Sequence, residues 1–127
     1  MQGNSLVHSS INNSVAANGQ TGDIDIQDFN DLLVVTQLTA LTGGTAPTVQ
    51  FIVEWKDSQG VYRPLATHAA LSAVGTKIMS TGSGVATTTG IDAIWSAPFG
   101  LVIRVRWAVT GAPATATASF EIIGSRI

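Results

Sequence analysis

Along Thr48 to Lys56, TVQFIVEWK, apolar and polar positions alternate: Val49, Phe51, Val53 and Trp55 fall on one side of an extended chain, Gln50, Glu54 and Lys56 on the other. A period of two predicts a strand with one buried and one wet face. The pattern returns at Leu101 to Val109, where Leu101, Ile103, Val105, Trp107 and Val109 alternate with Val102, Arg104, Arg106 and Ala108. Two such strands, each with a Trp on its apolar face, predict an antiparallel sheet packed against a second layer, with Trp55 and Trp107 buried on the same side.

Weaker versions of the pattern fill most of the remaining chain. Asp23 to Ile26 reads as a short alternating strand and Asp28 to Asp31 as a turn. Leu32 to Leu41 reads as a longer strand whose continuous start, LLVV, predicts burial on both faces. Thr42 to Pro47 holds a Gly pair, which permits positive φ, and a Pro, which cannot donate to a ladder, so it is read as a loop. Asp57-Ser58-Gln59-Gly60 predicts a hairpin into Val61 to Leu65, with Asp starting the turn through its side chain and Gly closing it in the left-handed region. Between Ala66 and Gly90 little pattern survives; Lys77 to Met79 reads as a short strand and Thr81 to Gly84 as a turn. Ile91 to Trp95 fits a strand or a single helical turn. Gly111 to Pro113 turns the chain, and Ala114 to Ile123 closes it with Ala116, Ala118, Phe120 and Ile122 on one face. About eight short strands with regular turns predict an all-β domain, an antiparallel β-sandwich of which the jelly roll is one form.

Residues 1–20 stand apart. They are polar and weakly patterned, with Leu6, Val7, Ile11 and Val15 as the only large apolar groups besides the initial Met. The expectation is an extended N-terminal arm, docked on a neighbouring subunit in a groove or as a strand added to an exposed edge, with residues 21–127 forming the sandwich.

Composition narrows the function. A chain of 127 residues is one domain by length. It has no cysteine, which excludes disulfides, thiolate metal sites and cysteine nucleophiles. Charged residues make up 11% and the net charge is -2, a poor match to nucleic-acid phosphates, so no nucleic-acid partner is expected. With 45% hydrophobic content, few charges keep surfaces apart, which predicts life in an assembly. The opening MQGNSLVHSSINNS lacks a basic segment followed by an apolar run, and no stretch approaches the roughly 20 apolar residues of a membrane helix. The expectation is a chain made in the cytoplasm with no membrane partner. Asn12-Asn13-Ser14 matches the glycosylation acceptor pattern, which has meaning only on a secretory route.

The best metal candidate is the acidic run Asp23, Asp25, Asp28 and Asp31, but Gln27, Asp28 and Val34 occupy positions where a calcium loop requires other residues. In the alternative, Asp23 and Asp25 share the wet face of a strand. His8 and His68 are too few for a three-histidine zinc site and are read as solvent or interface residues. No G-x-S-x-G elbow and no phosphate-binding glycine loop is present. Glu54 and Glu121 lie on polar strand faces, the ordinary place for a solvated charge. No catalytic residue, cofactor or metal is therefore assigned, and the chain is read as a non-enzyme. Trp55, Trp95 and Trp107 raise the alternative of a carbohydrate-binding platform, but two of them are in phase with core residues. Trp95, before a Pro-containing loop, is a candidate for sealing an interface. Arg104 and Arg106 are further interface candidates; if their strand pairs with Thr48 to Lys56, they face Glu54 and Lys56 across it.

Two blocks, PTVQFIVEWKDSQGVYRPL at 47–65 and PFGLVIRVRWAVTGAPATATASFEI at 98–122, together with DFNDLLVVTQLTAL, resemble small β-sandwich structural proteins of tailed-bacteriophage virions. The resemblance covers the strand pattern of roughly residues 22–123 and carries no catalytic residues. It implies a head decoration or cement protein that binds the major capsid protein or another virion protein on the shell exterior, as a homotrimer. Within virions the alternative is a tail tube, tail terminator or fibre-base component.

Overall fold

The computed structural model describes residues 3–27, 29, 31–81, 93–95 and 102–126. These form ten strands: β1 (Gly3–Ser14), β2 (Gly19–Gln20), β3 (Ile24–Asp25), β4 (Asp31–Thr42), β5 (Thr48–Lys56), β6 (Tyr62–Thr67), β7 (Gly75–Thr81), β8 (Ala93–Trp95), β9 (Val102–Thr110) and β10 (Thr115–Arg126). Sheet A has the order β1-β10-β4-β7-β8; sheet B has the order β2-β9-β5-β6, with β3 also on β9. The chain is all-β, and its antiparallel sheets pack face to face as a sandwich. The described strand pairs are antiparallel except β7–β8, which is parallel.

The topology follows from folding one long hairpin over on itself. Its closed end is β5–β6; β4 pairs with β7, β2 and β3 pair with β9, and β1 pairs with β10 at the open end. Winding this ribbon sets β4 beside β10 and β5 beside β9. With β2 and β3 taken as one interrupted strand and β8 as an addition, the orders 1-10-4-7 and 2/3-9-5-6 are those of a jelly roll.

Alternation along the strands fills the space between the sheets. Val49, Phe51 and Val53 of β5, Ile103, Val105 and Trp107 of β9, Leu32, Val34 and Leu38 of β4, and Ala116, Ala118, Phe120 and Ile122 of β10 are buried in one cluster. The Trp107 indole stacks on Phe120 of the opposite sheet at 5.4 Å, and Phe51 meets the same ring edge-on at 5.4 Å. Trp107 also donates from Nε1 to the Ala17 carbonyl at 2.9 Å, so its one polar atom is satisfied. Trp55 points to the same side, half-buried against the core. Burial on both faces of the LLVV run holds in part: Leu32 and Val34 are fully inside, Leu33 and Val35 half-covered on the outer face.

The predicted hairpin turn is present. The Asp57 carboxylate accepts from the Gln59 N–H at 2.8 Å and the Val61 N–H at 2.9 Å, and Gly60 closes the turn at φ +82°. Three expectations need correction. Residues 3–14 are not an arm reaching away from the domain: they form β1, the edge strand of their own sheet A, running from Gly3 opposite Arg126 to Ser14 opposite Thr117. His68 is not a surface residue. It is buried, its Nε2 accepting from the Phe51 N–H at 3.1 Å, and its Nδ1 lying 2.5 Å from the Ala69 carbonyl. Strand β7 extends beyond Lys77 to Met79 at both ends. Of the Ile91 to Trp95 segment, residues 93–95 are strand; Ile91 and Asp92, Asp28, and the turn residues 82–84 lie outside the described residues.

Candidate functional site

The outer faces of the two sheets differ in chemistry. On sheet B, register places Glu54 opposite Arg104, Ile52 opposite Arg106, and Lys56 opposite Tyr62. Glu54 is only 6% exposed, so it is not the solvated charge expected of a polar strand face. Arg104 Nε donates to its Oε1 at 2.9 Å and Arg106 Nε to its Oε2 at 3.2 Å, so both carboxylate oxygens are satisfied by guanidinium groups. The Arg104 guanidinium lies 3.4 Å from the centre of the Tyr62 ring. The Tyr62 hydroxyl in turn donates to Asp23 Oδ1, and Lys56 donates to Asp23 Oδ2 at 3.2 Å.

This chain of contacts sets the titration behaviour. The Tyr62 hydrogen bond, with help from Lys56, holds the Asp23 carboxyl below its ordinary 3.8. The same bond raises the Tyr62 phenol above its ordinary 10.0, and contact with Asp23 raises the Lys56 ammonium above its ordinary 10.5. At the hairpin, the Val61 N–H foremost and the Arg63 guanidinium hold Asp57 below 3.8. Each of Asp23, Glu54 and Asp57 has both oxygens engaged by donors, so none stands free as a general base or metal ligand. The network clamps strands of sheet B and the approach to β3 together.

Sheet A presents the opposite surface. Partner residues across its ladder share a face, which puts Leu6, Ile123 and Leu33 in one outer row and Ser9, Glu121, Val35 and Ile78 in the next. Leu33, Val35, Ile78 and Ile123 are half-buried, while Leu6 is 61% and Ile11 73% exposed. A groove of about 200 Å³ runs between β1 and β4, lined by Ser9, Ile11, Val35, Gln37, Ser119, Phe120 and Glu121. Beside it, residues Gly3 to Ser14 contain no acidic residue, lysine, arginine or proline, the devices that usually blunt an edge strand. Two irregularities in register, between Leu6 and His8 and between Ser10 and Asn13, are the blunting it does have.

The interface candidates read from sequence therefore separate. Leu6 and Ile11 share the exposed face of β1. Val7 turns inward and packs partly against the core, and Val15 is fully buried within it, so neither is available as a surface contact. Their inward turn follows from the register shift after Leu6 and from the chain crossing to sheet B beyond Ser14. Arg104 and Arg106 converge, but on their own Glu54. Trp95 lies on β8, its side chain outside the described residues. Sequence reading missed Leu33, Val35, Ile78 and Ile123; the signals available were the unbroken LLVV and Ile122-Ile123 pairs, where the outer partner of an inward residue is also apolar.

The described members of the acidic run, Asp23, Asp25 and Asp31, do not gather. Asp23 turns to Tyr62 and Lys56, Asp25 accepts from the Gln27 N–H at 3.0 Å and its side chain at 3.1 Å, and Asp31 opens β4. Among the described residues no group of three or more His, Asp or Glu side chains is placed to hold a metal ion, and no helix is long and apolar enough to cross a membrane. In comparisons with known proteins, no family model matches the chain and no curated protein matches it.

Proposed function

We propose that this chain is a non-enzymatic structural protein of a virion, a capsid decoration protein that binds the shell exterior as a symmetric oligomer and braces it. The observation that carries the reading is the outer face of sheet A, where the apolar row of Leu33, Ile123 and Leu6 continues onto an uncharged edge strand although the interior of the sandwich is already filled. Such a face favours lasting contact with other protein surface, and the low charge of the whole chain points the same way. Bracing then follows from repetition: a closed trimer would present the same patch three times, so modest contacts must be broken together. Jelly rolls serve in viral capsids, lectins and cupins alike, so the fold alone is only an analogy. The sugar-binding reading loses its platform, because Trp55 and Trp107 face the core.

Particles carrying and lacking the protein, compared for resistance to heat and imaged by electron microscopy, test the proposal. Added density on the head and a raised disruption temperature are expected. Equal shell stability, or density confined to the tail, would overturn it in favour of a tail component.

A further inference from the structure

We infer that β1 is an exchangeable strand: the edge of β10 that seats residues 3–14 of its own chain also takes that segment from a second copy, linking copies by swapped N-terminal strands. The inference rests on the assembly reading above and names the partner of the β1 side of sheet A.

Four observations lead to it. Strand β1 ends the sheet, with β10 as its single neighbour in the strand order. Among described side chains the buried apolar core begins at Val15 and takes nothing from β1, from which Val7 alone packs partly against the cluster. Lifting β1 away therefore leaves the filled interior in place, the condition for a local rather than global opening. The ladder itself is irregular: it shifts register twice, Asn12 sits at φ +57°, and the Nε2 atom of His8 is buried without a hydrogen-bond partner.

The fourth observation fixes the pivot. Immediately after β1 the chain is fastened: the Val15 N–H donates to the Ala116 carbonyl at 2.9 Å, the Ala17 carbonyl accepts from Trp107 Nε1 at 2.9 Å, and Asn18 Oδ1 accepts from the Val109 N–H at 2.7 Å. What can leave is thus the strand up to Ser14, as a unit. The vacated β10 edge flanks the inward-facing Phe120 and Ile122, and the segment known to fit it in register is β1 itself. A copy's β1 reproduces the same contacts, and the absence of acidic and basic side chains other than His8 removes charge repulsion between exchanging strands. Concentration on a particle then decides between the closed and the exchanged form.

The chain has no cysteine, so single thiols report the exchange. Ser9 and Glu121 are register partners, both exposed. Full-length S9C and E121C chains are mixed at high concentration, oxidised mildly, and resolved by non-reducing electrophoresis and mass measurement. Exchange predicts an S9C–E121C heterodimer several-fold more abundant than that from S9C mixed with S58C, whose thiol lies in the exposed β5–β6 turn. Heterodimer at the level of the S58C control overturns the inference. As a second measurement, the double variant S9C/E121C is closed as a monomer at high dilution; locking β1 at home should abolish any oligomer the parent forms, and an oligomer that survives the lock overturns the swap. Because the assay uses the free protein, its failure leaves the decoration reading to the particle comparison, whereas a formed heterodimer with unaffected particles would remove that reading and keep the swap.

Discussion

At the β5–β6 end the chain reverses within Asp57 to Gly60, and the groups that hold the reversal are neighbours in sequence: Asp57 accepts from Gln59, Val61 and Arg63. At the β1–β10 end Gly3 meets Arg126 and Ser14 meets Thr117, so the ladder closes only after almost the whole chain is in place. Loop closure makes the second pairing entropically dearer and later than the first. One architecture thus has an end specified locally and an end specified by the completed fold. The first is rich in ion pairs and the second in uncharged Ser and Asn.

The largest expected effect lies between the two ends. Trp107→Ala removes the stack on Phe120 and the bond to Ala17, and should cost about 3–5 kcal/mol. Urea titration followed by hydrogen exchange checks it. Protection should fall along β1 and along β5–β6 alike, since the core both ends share has been opened. In the parent, by contrast, residues 3–14 should exchange well before residues 48–56. Equal protection of the two segments in the parent would erase the distinction between the ends.

A smaller and local effect is expected at the open end. A Cβ built on Gly124 would lie 2.3 Å from Cδ1 of Phe29, so Gly124→Ala must displace that ring. A cost of about 1–3 kcal/mol follows from overpacking, with faster exchange concentrated in β1 and the start of β4. Thermal unfolding and exchange at individual peptides separate this from a global loss.

The asymmetry between the ends also explains what was readable from sequence. Period two in TVQFIVEWK and LVIRVRWAV identified β5 and β9, and Asp57 with Gly60 identified the turn, because each signal is carried by adjacent residues. In GNSLVHSSINNS the register shifts at Val7 and near Asn12 destroy the alternation, so β1 reads as an unpatterned arm although it is twelve residues of strand. Burial of Glu54 was equally hidden: it depends on Arg104 and Arg106, which only the β5–β9 register brings to it. His68 looked exposed among small residues because its partner, the Phe51 N–H, lies on another strand. The candidate surface was half legible, with Leu6 and Ile11 visible as lone apolar groups, Leu33 and Val35 read as buried, and Ile78 and Ile123 placed on strands but not recognised as surface.

At the closed end the matching backbone test is Gly60→Ala. Gly60 holds φ +82°, and a Cβ there would meet only Lys56 Cε at 3.9 Å. The substitution therefore costs backbone conformation without a clash, about 1–2 kcal/mol. Denaturant unfolding should show this loss while exchange in β1 stays near that of the parent. Acceleration of β1 comparable to that caused by Gly124→Ala would mean that the two ends open as one unit.

The smallest effect expected is in pH dependence, and it should come from the closed end. Asp23 and Asp57 have folded pKa values below 3.8, so their contributions are present above that value and vanish as pH falls through the lower folded one. Lys56 and Tyr62 are shifted the other way. Their contributions are complete below the unfolded values of 10.5 and 10.0 and vanish as pH rises through the higher folded ones. Between roughly pH 5 and 9 these four groups should leave stability flat. Asp23 is exposed and Lys56, Asp57 and Tyr62 are half-buried at the surface, so solvent and salt screen the group and the changes should be modest. Melting temperatures measured across the acid and alkaline limits in Asp23→Asn should show shallower falls on both sides than the parent, because that one carboxylate holds the hydrogen bond to Tyr62 and the ion pair to Lys56. Identical profiles for parent and variant would mean that the Asp23, Lys56 and Tyr62 contacts contribute nothing in solution, leaving Asp57 and its turn to hold the closed end alone.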